Sequence, residues 1–554
     1  MAFGCLIAII APSLFLNIFL LTFPQQILII VGIWFCFGVI LYFFISWGVS
    51  RFIVLSTLFT TDLSFQQKIR KVFLAIFFLF PVCLIAFQHF REFFQILIQG
   101  KVYDPLGWMA PQEGASSFLI GVLTLGLFLI SMPLIVARKP RLKQYLDDLP
   151  DYYYIIFILL AGTLIRLLFI YLINTQPISD FGVINSDAIL VSQGARPEHM
   201  YVAVHVVTTM IYGFLYTIFG PNLIVIKLFH IVLYVLSGIF IYYAGKENFG
   251  NRLWAGIAGV LVVSWPSLAL YSNVLTPEHL FIFVECALVF VVSHFFQTQG
   301  ARQSKIRETF GFVVIGSLLG IMGMFRPFSQ LFLMAFLITL FIYGSSFNLK
   351  RIILNITALL LSVWLLSNVP GIVASYYHNQ FGNVRPCNFL VGMNIEALGQ
   401  YNVEDSALCR KVLSSTPNES AFTFKIMEIT FERLHTEQDR LFPFFDKKFA
   451  ILWVNSNEIV FWAIQLAKGD DPVFALDVVQ KVNLVDFAMM FIATIACVAG
   501  TALAFFKDVK PAIFFGLLSF FAFNLMEVFF EVQTRYRTVI MPLVIFFACW
   551  ALAA

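Results

Sequence analysis

Charge is scarce in this chain: Asp, Glu, Lys and Arg make up 12% of its 554 residues, against 60% hydrophobic ones. A soluble globular domain carries about twice that charge, so composition excludes one. No clustered basic face occurs, which removes nucleic acid as a partner. Alternating segments of about ten residues are missing, and with them a transmembrane barrel. No Cys-x-x-Cys or Cys/His spacing suits a metal. No internal repeat or low-complexity linker stands out. The first segment has neither a basic start nor a small-residue cleavage site, so it reads as a retained helix rather than a signal peptide.

What the chain does have is apolar runs of about 20 residues, the length a helix needs to cross the hydrocarbon core. The mean hydropathy is +0.89. Fourteen spans are expected, at roughly 2–22, 27–48, 71–90, 116–136, 153–173, 222–244, 253–271, 279–298, 308–325, 327–345, 352–369, 484–505, 511–529 and 538–553. One alternate set of loops then carries seventeen Lys and Arg residues, and the opposite short loops carry six. The positive-inside rule puts the richer set, with the N and C termini, in the cytoplasm. Residues 201–219 would invert every later loop if counted as a span, and read instead as a helix at the outer interface, with His205, Thr208 and Thr209 as polar points.

The expected fold is therefore an all-α polytopic membrane protein with about 14 transmembrane helices. Its parts are a four-helix extension at 1–150, a core at 151–369 with an outer loop at 174–221, a small extracytoplasmic and mainly helical domain at 370–483, and a three-helix segment at 484–554. Within 370–483 the stretches beginning at Phe422 and Phe442 have apolar residues at helical spacing and read as short helices covering the membrane surface. Six of the eight cysteines lie in apolar segments and read as packing residues. Cys387 and Cys409 share the polar region, where an oxidising compartment would allow a disulfide.

The polar residues of the outer loops form a pattern. Asp180 and Asp187 stand in the long loop, seven residues apart and so on one face of a helix. Glu278 and His279 end the short loop from Tyr271. Arg326 joins two spans, and Arg535 and Arg537 open the last one. Acids and arginines from separate loops at one membrane surface suit a phosphate and a nucleophile. Arginine grips phosphate oxygens in a fork, and a carboxylate accepts a proton from an attacking hydroxyl. Each residue also has a plainer reading. Ser179-Asp180 fits a helix cap, and Glu278 fits an acid at a helix start. His279 and the two C-terminal arginines fit interfacial side chains, and Arg166 and Lys227, near or within spans, fit structural charges facing protein.

From about residue 150 onward, the order of features resembles the GT-C membrane glycosyltransferases, in particular the dolichyl-phosphate-mannose protein mannosyltransferase-like and aminoarabinose-transferase-like groups (glycosyltransferase family 39-like). The pieces are Arg166 followed by Pro177-Ile-Ser-Asp-Phe181, Phe219-Gly-Pro-Asn222, Gly245 to Arg252, Ser264-Trp-Pro266, Tyr271 to Glu278, Phe325-Arg-Pro327, Leu390-Val-Gly-Met-Asn394 and Thr534-Arg-Tyr-Arg537. The resemblance implies a transferase that uses a polyprenyl-phosphate sugar on the extracytoplasmic face of the cytoplasmic (inner) membrane. It implies Asp180 as general base of an inverting transfer to an acceptor on glycan, lipid or protein, with Glu278 as second-loop acid. Arg326 and Arg535 would meet the lipid phosphate. Many relatives carry Asp-Glu in the first loop, whereas Phe181 follows Asp180 here, which leaves Asp187 a rival. Residues 1–150 have no counterpart in that pattern. No cofactor is certain; a divalent cation held by Asp180 and Glu278 is compatible with two carboxylates and a phosphate. The rival readings are a transporter or flippase for a lipid-linked or anionic substrate, and a non-catalytic assembly subunit.

Overall fold

The computed structural model describes residues 80–99, 119, 122–123, 140–197, 203–298, 305–344, 349–376, 385–454, 457–464, 472–506 and 508–554. All belong to the second of two compact units, Phe73–Ala554. The spans expected at 2–22 and 27–48 lie outside the described residues, as does nearly all of that at 116–136.

Every regular element among the described residues is helical. In chain order they are α1 (Phe80–Gln99), α2 (Pro140–Asp148), α3 (Asp151–Leu172), α4 (Ser179–Ser192), α5 (Ala203–Phe219), α6 (Leu223–Phe249), α7 (Arg252–Ser264), α8 (Pro266–Tyr271), α9 (Glu278–Thr298), α10 (Lys305–Phe325), α11 (Ser329–Tyr343), α12 (Leu349–Ser367) and α13 (Val369–Tyr376). The polar region supplies α14 (Arg385–Gly392), α15 (Val403–Ser415), α16 (Glu419–Thr436), α17 (Leu441–Trp453) and α18 (Asn457–Ile464). Then come α19 (Pro472–Phe506), α20 (Pro511–Phe529), a 3-10 turn at Thr534–Val539 and α21 (Met541–Ala553).

Seven of these helices are long and apolar enough to cross a membrane, and four shorter apolar ones accompany them. The protein is polytopic. Leu164, Leu168 and Tyr171 on α3 and Leu361, Trp364 and Leu365 on α12 stand exposed. Such faces suit lipid, because a surface in hydrocarbon gains nothing from polar side chains. Where helices meet, small residues let them close up. A β-carbon on Gly238 of α6 would lie 2.8 Å from the carbonyl oxygen of Gly259 on α7, and one on Gly259 would lie 2.7 Å from that of Gly238.

Three expectations need correction. The span placed at 71–90 does not stop before Arg91: α1 runs on to Gln99. Asp446 of α17 takes the Arg91 guanidinium at 2.7 Å and also accepts from Gln88, so these polar groups do not end the helix. The span placed at 253–271 is broken at Trp265, because Pro266 drives the residue before it out of helical geometry (ψ 123°). The boundary placed at 483/484 falls inside one continuous 35-residue helix, α19. The short helices expected around Phe422 and Phe442 are α16 and α17.

The polar region has its own small core. Cys387 and Cys409 form a disulfide, with their α-carbons 5.8 Å apart, beside buried Leu390, Phe422 and Ile426. Asp405 accepts from Asn394 (2.7 Å) and Asn402 (3.0 Å) and pairs with Arg433 at 2.7 Å. Burial alone would push the Asp405 carboxyl up, but the bonds from Arg433, Asn402 and Asn394 hold it below its ordinary value.

Candidate functional site

Glu278 is delivered by backbone that is not helical. Between α8 and α9 the chain turns through Ser272–Pro277, fully buried. Carbonyls released by the break need donors, since lipid offers none. Ser272 O accepts from His230 Nδ1 at 2.8 Å and Val274 O from His279 Nε2 at 2.9 Å, while the Tyr212 hydroxyl lies 2.8 Å from His230 Nε2 and 3.1 Å from Thr276 O. A carbonyl can only accept, so each of those ring nitrogens carries the proton. His279 Nδ1 is then left to accept from the Tyr234 hydroxyl at 3.1 Å. Both nitrogens of His279 are thus engaged within the protein.

The two cations near spans do similar work. Arg166 lies over the Tyr234 ring, 4.0 Å from its centroid, and donates to Val263 O where α7 ends. Lys227 donates to Thr175 O at 3.0 Å, just after α3.

Asp180 stands in the first turn of α4. The N-cap of that helix is Ile178, whose side chain caps nothing. Ser179 holds φ +48°, a left-handed conformation uncommon outside glycine, and the amides of Phe181 and Gly182 both reach Ile178 O at 3.0 Å. Strain of this kind tends to be stored beside functional groups. Asp187 lies two turns further along α4 and is buried.

Arg326 follows the last residue of α10, and its guanidinium pairs with Glu278, a fully buried carboxylate. The second oxygen of Glu278 and the Nε of Arg326 have no hydrogen-bond partner among the described residues. Arg535 comes from the 3-10 turn. Its guanidinium carbon lies 5.4 Å from the Phe181 ring centroid, 5.6 Å from Tyr536 and 5.7 Å from Trp462. Tyr536 also faces Arg326, at 5.5 Å. Arg535 is only 8% exposed, and among the described residues its guanidinium has neither an ion pair nor a hydrogen-bond acceptor.

Electrostatics tie these groups together. Burial alone would lower the Arg535 pKa, but the fields of Tyr536, Tyr271, Glu278 and Asp180 hold it above its ordinary value. The charges of Arg326, Asp180, Glu278 and Arg535 all act on His205. The structure therefore brings Asp180, Glu278, Arg326 and Arg535 to one neighbourhood, from four separate segments.

Arg537 goes elsewhere. Two residues further along the 3-10 turn, it pairs with Asp486 of α19 at 2.6 Å and donates to Trp453 O at 2.6 Å. The other oxygen of Asp486 accepts from Trp265 Nε1 at 2.6 Å.

Two acids that the sequence reading passed over belong to the site. Glu531 feels Asp180, Arg535 and Arg326, and burial raises its pKa. Glu458 accepts from Thr534 N at 2.6 Å and from the Thr534 hydroxyl at 3.3 Å; burial raises it too, against the pull of Arg535. The signal for Glu458 was an acid stranded in an apolar stretch, Asn457-Glu-Ile-Val-Phe-Trp462. The Leu390-to-Asn394 motif latches the segment that leads to Arg535. A methyl at Gly392 would overlap the Phe530–Glu531 backbone. Glu531 N donates to Asn388 O at 3.0 Å, and Lys448 donates to Gly392 O at 2.7 Å, Val528 O at 3.0 Å and Phe530 O.

A hard divalent cation wants several oxygen ligands. Among the described residues no three His, Cys, Asp or Glu side chains gather closely enough to hold one, and Glu278 already pairs with Arg326. Among the described residues the donor set does not fit such an ion, and no chemical step is routed through one.

No family model and no curated protein sequence matches the chain. Among solved structures, it aligns with the archaeal oligosaccharyltransferase AglB from Archaeoglobus fulgidus, solved in complex with an inhibitory peptide and a dolichol-phosphate. The identity is 11% and the TM-score 0.40, over 72% of this chain and 50% of that one. The chain thus spans about half the length of that structure.

Proposed function

We propose that this chain is an integral-membrane glycosyltransferase of the GT-C type, which moves a sugar from a polyprenyl-phosphate carrier to an acceptor hydroxyl. The observation that carries the reading is Arg535, a buried guanidinium without a hydrogen-bonded acceptor among the described residues, in the field of Asp180. An unpaired buried charge is costly, and a bound oxyanion removes the cost. Arg326 is already paired with Glu278, whereas Arg535 has no direct ion pair among the described residues and is left to face a bound anion.

The acceptor O–H gives its proton to Asp180 as its oxygen attacks the anomeric carbon. The bond from that carbon to the phosphate oxygen breaks, and its electron pair leaves with the lipid phosphate. The departing phosphate gains negative charge, which Arg535 stabilises from a fixed position. One displacement inverts the anomeric centre. Asp187 remains the rival base. The order of motifs from Pro177 to Arg537 supports the reading, and the charge bias of the loops supports an extracytoplasmic site. The Cys387–Cys409 disulfide agrees with oxidising surroundings for the polar region.

The test is purified protein in proteoliposomes with radiolabelled polyprenyl-phosphate sugars and a panel of glycan, lipid and peptide acceptors. Transfer of label to an acceptor is the expected result. Movement of intact labelled lipid across the bilayer, without bond cleavage, would identify a transporter instead.

A further inference from the structure

The departure at Phe181, where relatives of the GT-C type often carry an acid, has a structural counterpart. Phe181 follows Asp180 in the first turn of α4, and its ring is 3% exposed. It meets Trp462 edge to face, with centroids 5.3 Å apart and planes at 87°. The two rings form a corner, and the Arg535 guanidinium sits in it at 5.4 and 5.7 Å. Trp462 lies four residues after Glu458 on α18, so the two share a face of that helix. Glu458 holds the backbone at Thr534, and Trp462 holds the side chain of the next residue.

A guanidinium is flat, and rings packed about it fix its plane while leaving the N–H edge to a planar acceptor. We propose that Phe181 and Trp462 are positioning residues that set the plane of Arg535 for a phosphate, so that the first turn of α4 aligns the base and the anion seat as one piece. This rests on the glycosyltransferase reading of the same site. The two rings would touch no substrate, and act through Arg535 alone.

The experiment uses the full chain in nanodiscs, with farnesyl phosphate as probe and farnesol as its uncharged control. Trp462→Leu and Phe181→Leu are each expected to weaken farnesyl phosphate about fivefold, the scale of a cation–aromatic contact worth about 1 kcal/mol. Trp462→Phe keeps a ring and should stay within about twofold of wild type. Farnesol binding should not change in any variant. In an Arg535→Lys background, which keeps the charge and loses the plane, the Leu variants should have no further effect. Losses that multiply in that background, or that fall equally on farnesol, would overturn the proposal. So would an undiminished preference for farnesyl phosphate in both Leu variants. If the wild type itself fails to prefer farnesyl phosphate, the glycosyltransferase reading falls, a separate outcome.

Discussion

Arg537 pairs with Asp486 at 2.6 Å, and both side chains are almost wholly withdrawn from solvent. Arg535, two residues earlier on the same 3-10 turn, is faced by three aromatic rings and has no direct ion pair among the described residues. One turn thus supplies a structural arginine and the one proposed to seat an anion. Removing one partner of a buried pair leaves the other uncompensated, at about 3–5 kcal/mol. Asp486→Asn is therefore expected to lower the thermal unfolding midpoint in detergent markedly. An unchanged midpoint would show that the pair bears no weight.

Asp180→Asn is expected to cut sugar transfer by at least about a hundredfold, the usual worth of a general base. Size-exclusion behaviour and donor binding should be preserved. If that variant turns over like wild type while Asp187→Asn is inactive, the base is Asp187.

Glu278 and Arg326 answer to a double-mutant cycle. Each single change, Glu278→Gln or Arg326→Gln, leaves one buried charge without its partner. The double variant leaves none, so it should be more stable than either single one, with a coupling of about 1–3 kcal/mol. Additive losses in thermal unfolding would mean that the two side chains do not sense each other.

Asp405 gives the polar region an acid limit. Its folded pKa lies below the unfolded value, so its contribution is present above an unfolded pKa of about 4 and is lost as pH falls through the lower, folded value. Amide exchange in α15 and α16 should quicken as pH drops from 5 toward 3, after correction for intrinsic rates. Asp405→Asn should flatten that dependence, and an equal acid response in the variant would assign it to other groups.

Gly238→Ala places a methyl where the Gly259 carbonyl oxygen stands. The α6–α7 contact must then open, at about 1–3 kcal/mol, as for other overpacked sites. A shift in unfolding midpoint reads this directly; a variant as stable as wild type would show that the helices part at no cost.

Much of the frame was readable because its signals are local. An apolar run of spanning length marks a membrane helix without reference to any other part of the chain. The cysteine pair of the polar region was visible for the same reason. Glu278 was visible as an acid after Thr-Pro, and Arg326 as an arginine between two spans. What could not be read was which partner each charge would meet. Asp486 and Arg537 sit in different segments, and nothing near Arg537 names its mate. The break at Trp265 needed no partner to be foreseen, since Pro266 dictates it. An apolar run continuing past the proline hid it. Glu458 looked like one more acid of a polar region until the backbone of Thr534 was seen to end on it.

The Arg535 corner has a consequence for the order in which the protein is made. Phe181 and Asp180 come from the first half of the sequence, Trp462 and Glu458 from the polar region, and Arg535 from beyond α20. During synthesis the proposed base is in place long before the proposed seat for the phosphate. A nascent or truncated chain lacking the last turn carries Asp180 but cannot orient an anion beside it. On the proposed function, such a chain would transfer no sugar. Competence arrives only with the closing segment, and all at once.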